Sequence, residues 1–281
     1  MNGFCGDSFP AGNHKGTKTQ RPHDSLGEYF MKIFGILVCV FLLSAICVAE
    51  ETEYFDWKGN KLYAAKNYTD ALVYYEKAIA QEPGYIDAWI HKGDTQRVLK
   101  DYNGSIASYN SALQIDGKKA AAWSGITEAY TAMRDYVNAS IAANKTTALD
   151  NSKGNWLREG ALFRAQGKYT EASEKYDGAL ALDPKYKDAL YWKAVTLMVL
   201  NKVSEAIPLL NQAIEVDPNY KQAYFAKGVA LEASGKNAES QQAYDKALEI
   251  DPNYAQVLNS KMHLLLAADK TEEAMQLFVK I

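Results

Sequence analysis

The chain has 281 residues, 48% of them hydrophobic and 23% charged, with a formal net charge of −3. This is the composition of a folded protein, and the slight acidic balance, with no Lys/Arg run or basic stripe, argues against nucleic-acid binding. All three cysteines, Cys5, Cys39 and Cys47, precede residue 50, so the remainder needs no disulfide and hosts no thiolate chemistry.

Residues 1–30 are polar, rich in Gly, Pro, His, Lys and Thr, and show no apolar periodicity. They read as a disordered upstream extension, with Met31 as the natural start. Met31 and Lys32 are followed by seventeen uncharged residues, Ile33 to Ala49, with small residues near the end. Residues 31–49 resemble a secretory signal peptide cleaved after Ala49. The alternative is a retained N-terminal anchor, for which seventeen residues is short. Both readings place residues 50–281 outside the cytoplasm, secreted or at the cell envelope, because Lys32 flanks one side and Glu50, Glu51 and Glu53 the other.

From residue 50 onward one tetrapeptide recurs. Asp-Pro-Lys-Tyr at 183–186 and Asp-Pro-Asn-Tyr at 217–220 and 251–254 are spaced by 34 residues, and Glu-Pro-Gly-Tyr at 82–85 fits the same lattice. A fixed period of this size means one supersecondary unit copied and stacked. Each copy holds two stretches with apolar residues at helical spacing, separated by a polar turn containing Gly or Asn.

Copies begin near residues 52, 86, 120, 153, 187, 221 and 255. They carry small residues at position 8 (Gly59, Gly93, Gly160, Gly228), at 20 (Ala71, Ala172, Ala206) and at 27 (Ala78, Ala112, Ala179, Ala213, Ala247). Aromatics stand at 4 (Trp89, Trp123, Trp156, Tyr224), at 17 (Tyr102, Tyr136, Tyr169) and at 24 (Tyr75, Tyr109, Tyr176, Tyr244), and Pro83, Pro184, Pro218 and Pro252 at 32. The chain thus resembles the tetratricopeptide-repeat family. The resemblance implies an all-α, right-handed superhelical solenoid of about seven helix-turn-helix units that binds a protein or peptide partner and is not an enzyme.

The third copy departs from the pattern: Thr127, Ala143 and Thr146 replace the usual residues, and it is one residue short. Residues 120–152 are therefore expected to be the softest part of the array. Pro208, early in a second helix, predicts a mild kink rather than a break.

In this family the first helices line a concave groove through positions 2, 5, 9, 12 and 13. Carried over, those positions give Glu53, Asp56, Asp87, Asp94 and Glu128 in the first three copies, with Arg97 the only base. Copies four to six give Leu157, Ala161, Tyr191, Val195, Met198, Val199, Phe225 and Val229. The expectation is a groove acidic at one end and apolar at the other, docking a segment with a basic part and an apolar anchor. The family's carboxylate-clamp pattern is absent, because only Asn60 matches it.

Four glycosylation sequons begin at Asn67, Asn103, Asn138 and Asn144, the first three in the turn between helices. No nucleophile elbow, phosphate loop or metal-ligand spacing occurs, and no cofactor or metal is expected. His91 reads as a surface residue. Three other readings stay open: a carbohydrate- or cell-wall-associated module, an accessory subunit of an envelope assembly or enzyme, and a self-associating structural element.

Overall fold

A computed structural model describes residues 23–278, with side chains described for 29–42 and 48–275. Cys5, most of the expected upstream extension and the terminal Ile281 lie outside the described residues, as do the side chains of Cys47 and Phe278. The chain divides into two units between Glu51 and Thr52.

In the first unit, residues 23–51 form the beginning of helix α1 (His23–Ala64). Helix therefore starts eight residues before Met31, inside the stretch read as irregular, because extending an existing helix costs far less than nucleating one. The uncharged segment exposes its apolar side chains on consecutive positions: Ile36 is 64% exposed and Leu37 61%. Among the described residues no helix is long and apolar enough to cross a membrane.

The second unit is all helix among its described residues. Its first helices are residues 52–64 of α1, α3 (Ile86–Val98), α5 (Ala120–Ala132), α7 (Lys153–Ala165), α9 (Lys187–Val199), α11 (Lys221–Ala233) and α13 (Ala255–Ala267). Its second helices are α2 (Tyr68–Gln81), α4 (Tyr102–Ile115), α6 (Tyr136–Leu149), α8 (Tyr169–Leu182), α10 (Val203–Val216), α12 (Asn237–Ile250) and α14 (Thr271–Phe278). Each helix packs chiefly on its neighbours in sequence, and first helices also touch first helices of the next pair. This nearest-neighbour pattern is that of a solenoid.

The pairs are drawn together at position 8. Tyr176 and Tyr244 are fully buried, and their rings lie on Gly160 and Gly228 so closely that an added Cβ would sit 2.4 Å and 2.3 Å from ring carbons. Alanines 71, 78, 112, 172, 179, 206, 213 and 247, all without exposed surface, complete the same seam.

Every pair turns in one way. The second residue after the first helix takes a left-handed conformation: Lys66 (φ 62°), Lys100 (65°), Arg134 (60°), Gly167 (75°), Asn201 (60°), Gly235 (71°) and Asp269 (59°). The next residue's N–H then reaches back to the carbonyl five residues earlier, as Asp101 does to Gln96 at 2.8 Å and Lys202 to Leu197 at 2.8 Å. This Schellman closure satisfies carbonyls that the helix end leaves open. Only two of the seven positions are glycine, so the others carry the steric cost of a Cβ.

The recurring Asp-Pro-x-Tyr has its own geometry. Asp183, Asp217 and Asp251 accept from the backbone N–H two residues on at 3.0, 3.0 and 3.1 Å. Each also pairs with the lysine that opens its own unit: Lys153–Asp183 at 2.6 Å, Lys187–Asp217 at 2.6 Å and Lys221–Asp251 at 2.7 Å. Those lysines lie over the tyrosine of the same tetrapeptide, at 4.8 to 5.1 Å from the ring centroids. Hydrogen bonding to lysine lowers the carboxyl pKa in all three. The motif is thus a clasp between the two ends of one unit.

In the third copy, α5 and α6 have the same lengths as their counterparts, so the missing residue comes out of the connecting turn, 150–152. Ser152 caps α7 there, accepting from the Asn155 N–H at 3.4 Å. Trp156 Nε1 donates to Asn151 Oδ1 at 2.6 Å, where Trp89 and Trp123 donate to backbone carbonyls of the preceding turn. Helix α10 passes Pro208 uninterrupted.

His91 is not a surface residue. It is half-buried, with Nδ1 2.7 Å from Oδ1 of buried Asp56. Asn60 donates to Asp56 Oδ2 at 3.1 Å and accepts from the Tyr75 hydroxyl at 2.9 Å. This network ties the first pair of helices to the second.

Two outcomes follow from these contacts. Gly167→Ala lowers stability by about 1 kcal/mol in a urea melt although its Cβ meets no atom. Gly154→Ala, equally open but helical, raises stability by about 0.5 kcal/mol. For His91, burial pulls the imidazole pKa down, but the hydrogen bond and charge of Asp56, with Asp94 and Asp87 behind it, hold it above the ordinary 6.5. Its stabilising contribution is therefore complete below pH 6.5 and is lost as pH rises through the raised value. An NMR titration of His91 should show the raised pKa, and Asp56→Asn should bring it below 6.5.

Candidate binding groove

The positions expected to line the groove fall on the first helices, and the structure gathers several of them. A cleft of about 480 Å³ lies across α3, α5, α6 and α7, lined among others by Arg97, Glu128, Thr131, Ala132, Arg158 and Ala161. Small residues at Ala132, Ala161 and Ala165 leave its walls low, and all three are exposed.

The acidic groups are not a free anionic surface. Asp94 accepts from the Tyr109 hydroxyl at 2.7 Å and lies 3.5 Å from Arg97. Glu128 sits between Arg97 at 3.0 Å and Arg158 at 3.9 Å, and Arg158 also donates to Ser124 Oγ at 2.7 Å. Asp87 is paired elsewhere, with Lys119 at 2.9 Å, and Asp56 is consumed by His91. The N-terminal part of the groove is therefore a ladder of alternating charges. Two spacings produce it: Asp94 and Arg97 are an i,i+3 pair on one helix, while Glu128, at position 9 of its unit, faces Arg97 at position 12 of the previous unit and Arg158 at position 6 of the next. Burial first pulls the Arg97 pKa down, yet Tyr109, Glu128 and Asp94 together leave it raised.

The structure does not bring the apolar positions into one patch: five of them, all half-buried, fall into two separate packing clusters. Tyr191 lies 4.8 Å from Trp192 and 5.3 Å from Tyr220, ring to ring, and with Val195 and Met198 packs on the core around Leu190 and Leu197. Phe225 contacts Tyr244 and Tyr254 at 6.1 and 5.6 Å, and with Val229 packs on the core around Val257. Leu157 is also half-buried, whereas Val199 is 54% exposed. The clustered side chains pack on the cores of their units and keep part of their surface exposed. Asp188 meets the Tyr220 hydroxyl, Arg164 the Trp192 ring and Glu232 the Tyr244 hydroxyl, so this half is less uniformly apolar than expected.

Asn67, Asn103, Asn138 and Asn144 are all exposed. Asn67 caps α2, and its Nδ2 donates to Asp70 at 2.7 Å; Asn138 Nδ2 donates to Asp135 at 2.6 Å.

Sequence reasoning missed Arg158 and Arg164. Arg164 occupies the same register position as Arg97 and was findable on that ground; Arg158 stands at position 6, outside the carried-over set.

Tetratricopeptide-repeat family models match residues 58–121, 163–229 and 221–254, together more than half of the chain. No curated protein matches it in sequence. Among solved structures it is similar to a tetratricopeptide repeat protein from Parabacteroides merdae (TM-score 0.63, 19% identity, covering 82% of this chain and 92% of that one). It is also similar to YrrB, described as a TPR protein with an unusual peptide-binding site (TM-score 0.58, 20% identity, 66% and 97%). A third is PilW, a type IV pilus biogenesis factor (TM-score 0.59, 16% identity, 75% and 98%). These likenesses establish the fold, and repeat arrays of this kind bind protein or peptide partners and are generally non-catalytic. The chain, with its helix pairs, position-8 glycines and matched repeats, belongs to the tetratricopeptide-repeat family.

Proposed function

We propose that this protein is a non-catalytic scaffold or adaptor that binds a partner segment in the concave groove of its array, outside the cytoplasm. The observation that carries the groove reading is the open cleft across α3, α5 and α7, walled by alanines and flanked by paired charges. An extended peptide needs such a trough, where its backbone lies close to the helices and its side chains meet fixed polar groups. A fold shared with a protein described as having a peptide-binding site adds support. The location rests on the uncharged run Ile33–Ala49 with Lys32 before it and Glu50, Glu51 and Glu53 after it. Cleaved or retained, that segment leaves the repeats on the far side of the membrane.

A partner that is a fixed component of an envelope assembly would use the same groove, making this chain an accessory subunit.

Filling the cleft tests the groove. Ala132→Trp/Ala165→Trp places two indoles on exposed helix positions and leaves the core intact. The wild-type chain should retain a partner from envelope extract that this variant loses, while a Val137→Trp control keeps it. A partner retained equally by all three moves binding away from the groove. Location is tested with alkaline phosphatase fused after residue 281, active only outside the cytoplasm. An inactive, intact fusion overturns the export reading.

A further inference from the structure

The buried tyrosine at position 24 recurs in four units, and in three its hydroxyl has an acceptor within its own unit. Tyr75 donates to Asn60 at 2.9 Å, Tyr109 to Asp94 at 2.7 Å and Tyr244 to Glu232 at 2.8 Å. In the first two the acceptor stands at position 9 of the first helix, in the third at position 12. The fourth unit keeps Tyr176, with no exposed surface, but has Ala161 at position 9. The Tyr176 hydroxyl is buried and finds no acceptor among the described residues; the side chain that addresses it is Arg164, itself a donor.

Position 12 of that unit is Arg164. Its Nε is likewise buried without an acceptor, its guanidinium stacks 4.0 Å above the Trp192 ring, and it is in no ion pair among the described residues. Arg97 holds the same position in the second unit, where Arg97 and Tyr109 together address the Asp94 carboxylate. Units two and four therefore share the tyrosine and the arginine, and differ in that one supplies its own carboxylate and the other an alanine. Ala161 is exposed and lines the cleft, whereas the Tyr176 hydroxyl and Arg164 Nε are closed to solvent, so a carboxylate arriving on the Ala161 side reaches them by displacing the side chains that cover them. Burial pushes the Tyr176 pKa up, against the opposing pull of Arg164, which keeps the hydroxyl a donor at neutral pH.

We infer that Tyr176 and Arg164 form a carboxylate-recognition site over Ala161, which takes an aspartate or glutamate side chain of a peptide lying in the groove. The inference rests on the groove reading and gives its partner a chemical class, an acidic segment. A buried hydroxyl with no acceptor, addressed by a guanidinium whose Nε also lacks one, favours a carboxylate over a neutral amide because charge-assisted hydrogen bonds are the stronger kind. The second unit shows the geometry a carboxylate adopts between these two residue types. A side-chain carboxylate is the source because Asp94 is one, and because the cleft continues from Ala161 toward Arg97, leaving room for chain on that side.

The test uses the full chain, immobilised, and random twelve-residue peptides with amidated C-termini whose central residue is fixed as Asp in one pool and Asn in another. A third, Asn-centred pool ends in a free carboxylate. The wild type should retain the Asp pool about tenfold over the Asn pool. Arg164→Met and Ala161→Asp should each bring that ratio near one. Ala161→Asp should also raise Tm by about 2 °C, and the rise should vanish in a Tyr176→Phe background. Equal retention of the Asp and Asn amide pools overturns the carboxylate site and leaves groove binding standing. A preference confined to the free-carboxylate pool overturns the side-chain assignment. Retention of no pool overturns peptide binding in the groove, and this site with it. A fall in Tm for Ala161→Asp overturns the match to unit two.

Discussion

A tyrosine ring pressed against bare helix backbone sets the distance between the two helices of a unit, and the remaining geometry of the array follows from that distance. At Gly160 and Gly228 there is no space for even one carbon between ring and backbone. The ring is wide and flat, so it can be covered completely only if the facing helix offers no side chain. Once the helices are that close, the other facing positions must be alanine, and eight of them have no exposed surface. The large tyrosine also brings a hydroxyl into the seam, and burial makes an acceptor for it necessary. Helix spacing, choice of small residues and polar decoration of the groove are in this sense consequences of one contact.

The turn and the clasp act on the ends that this contact leaves open. A left-handed residue reverses the chain within each unit; the Schellman bond satisfies carbonyls at the end of the first helix, and in several units a cap side chain accepts an open N–H at the start of the second. The array tolerates Lys, Arg, Asn and Asp in that left-handed position, which implies that packing on either side over-determines the turn. At the far end the Asp-Pro-x-Tyr clasp holds the lysine that opens the unit against the aspartate that closes it. Its charges are solvent-exposed, so it contributes direction and register more than stability.

The polar network of the groove grows from the tyrosine hydroxyls. Asn60, Asp94 and Glu232 lie where they do because a buried phenol needs an acceptor at position 9 or 12. Their charges then call for partners: His91 for the Asp56–Asn60 group, Arg97 for Asp94, and Arg97 with Arg158 for Glu128. Recognition chemistry in such a groove is therefore a by-product of core packing, modified unit by unit. The fourth unit, with Ala161 and an arginine that has no acid, breaks the sequence of internal pairings.

Periodicity alone determined the family and the all-helical architecture, because small and aromatic residues recur at fixed offsets. The expectation that first helices line a groove came from the family resemblance and not from the periodicity. Neither could decide which groove charges are free. Asp94 and Arg97 are neighbours one turn apart on a single helix, but Arg97, Glu128 and Arg158 stand 31 and 30 positions apart in sequence, and their pairing depends on superhelical register, which sets Glu128 at position 9 against position 12 of the unit before and position 6 of the unit after. His91 looked like a surface residue for the same reason: Asp56, 35 residues earlier, is its partner only across a joint between units. The missing residue of the third copy was visible as a count, while its removal from the turn rather than from a helix was settled by packing, since a shortened helix would shift every small residue off the seam. One-dimensional pattern fixes what each unit is; only the stacking of units decides which of its polar groups meet each other and which are left facing the groove.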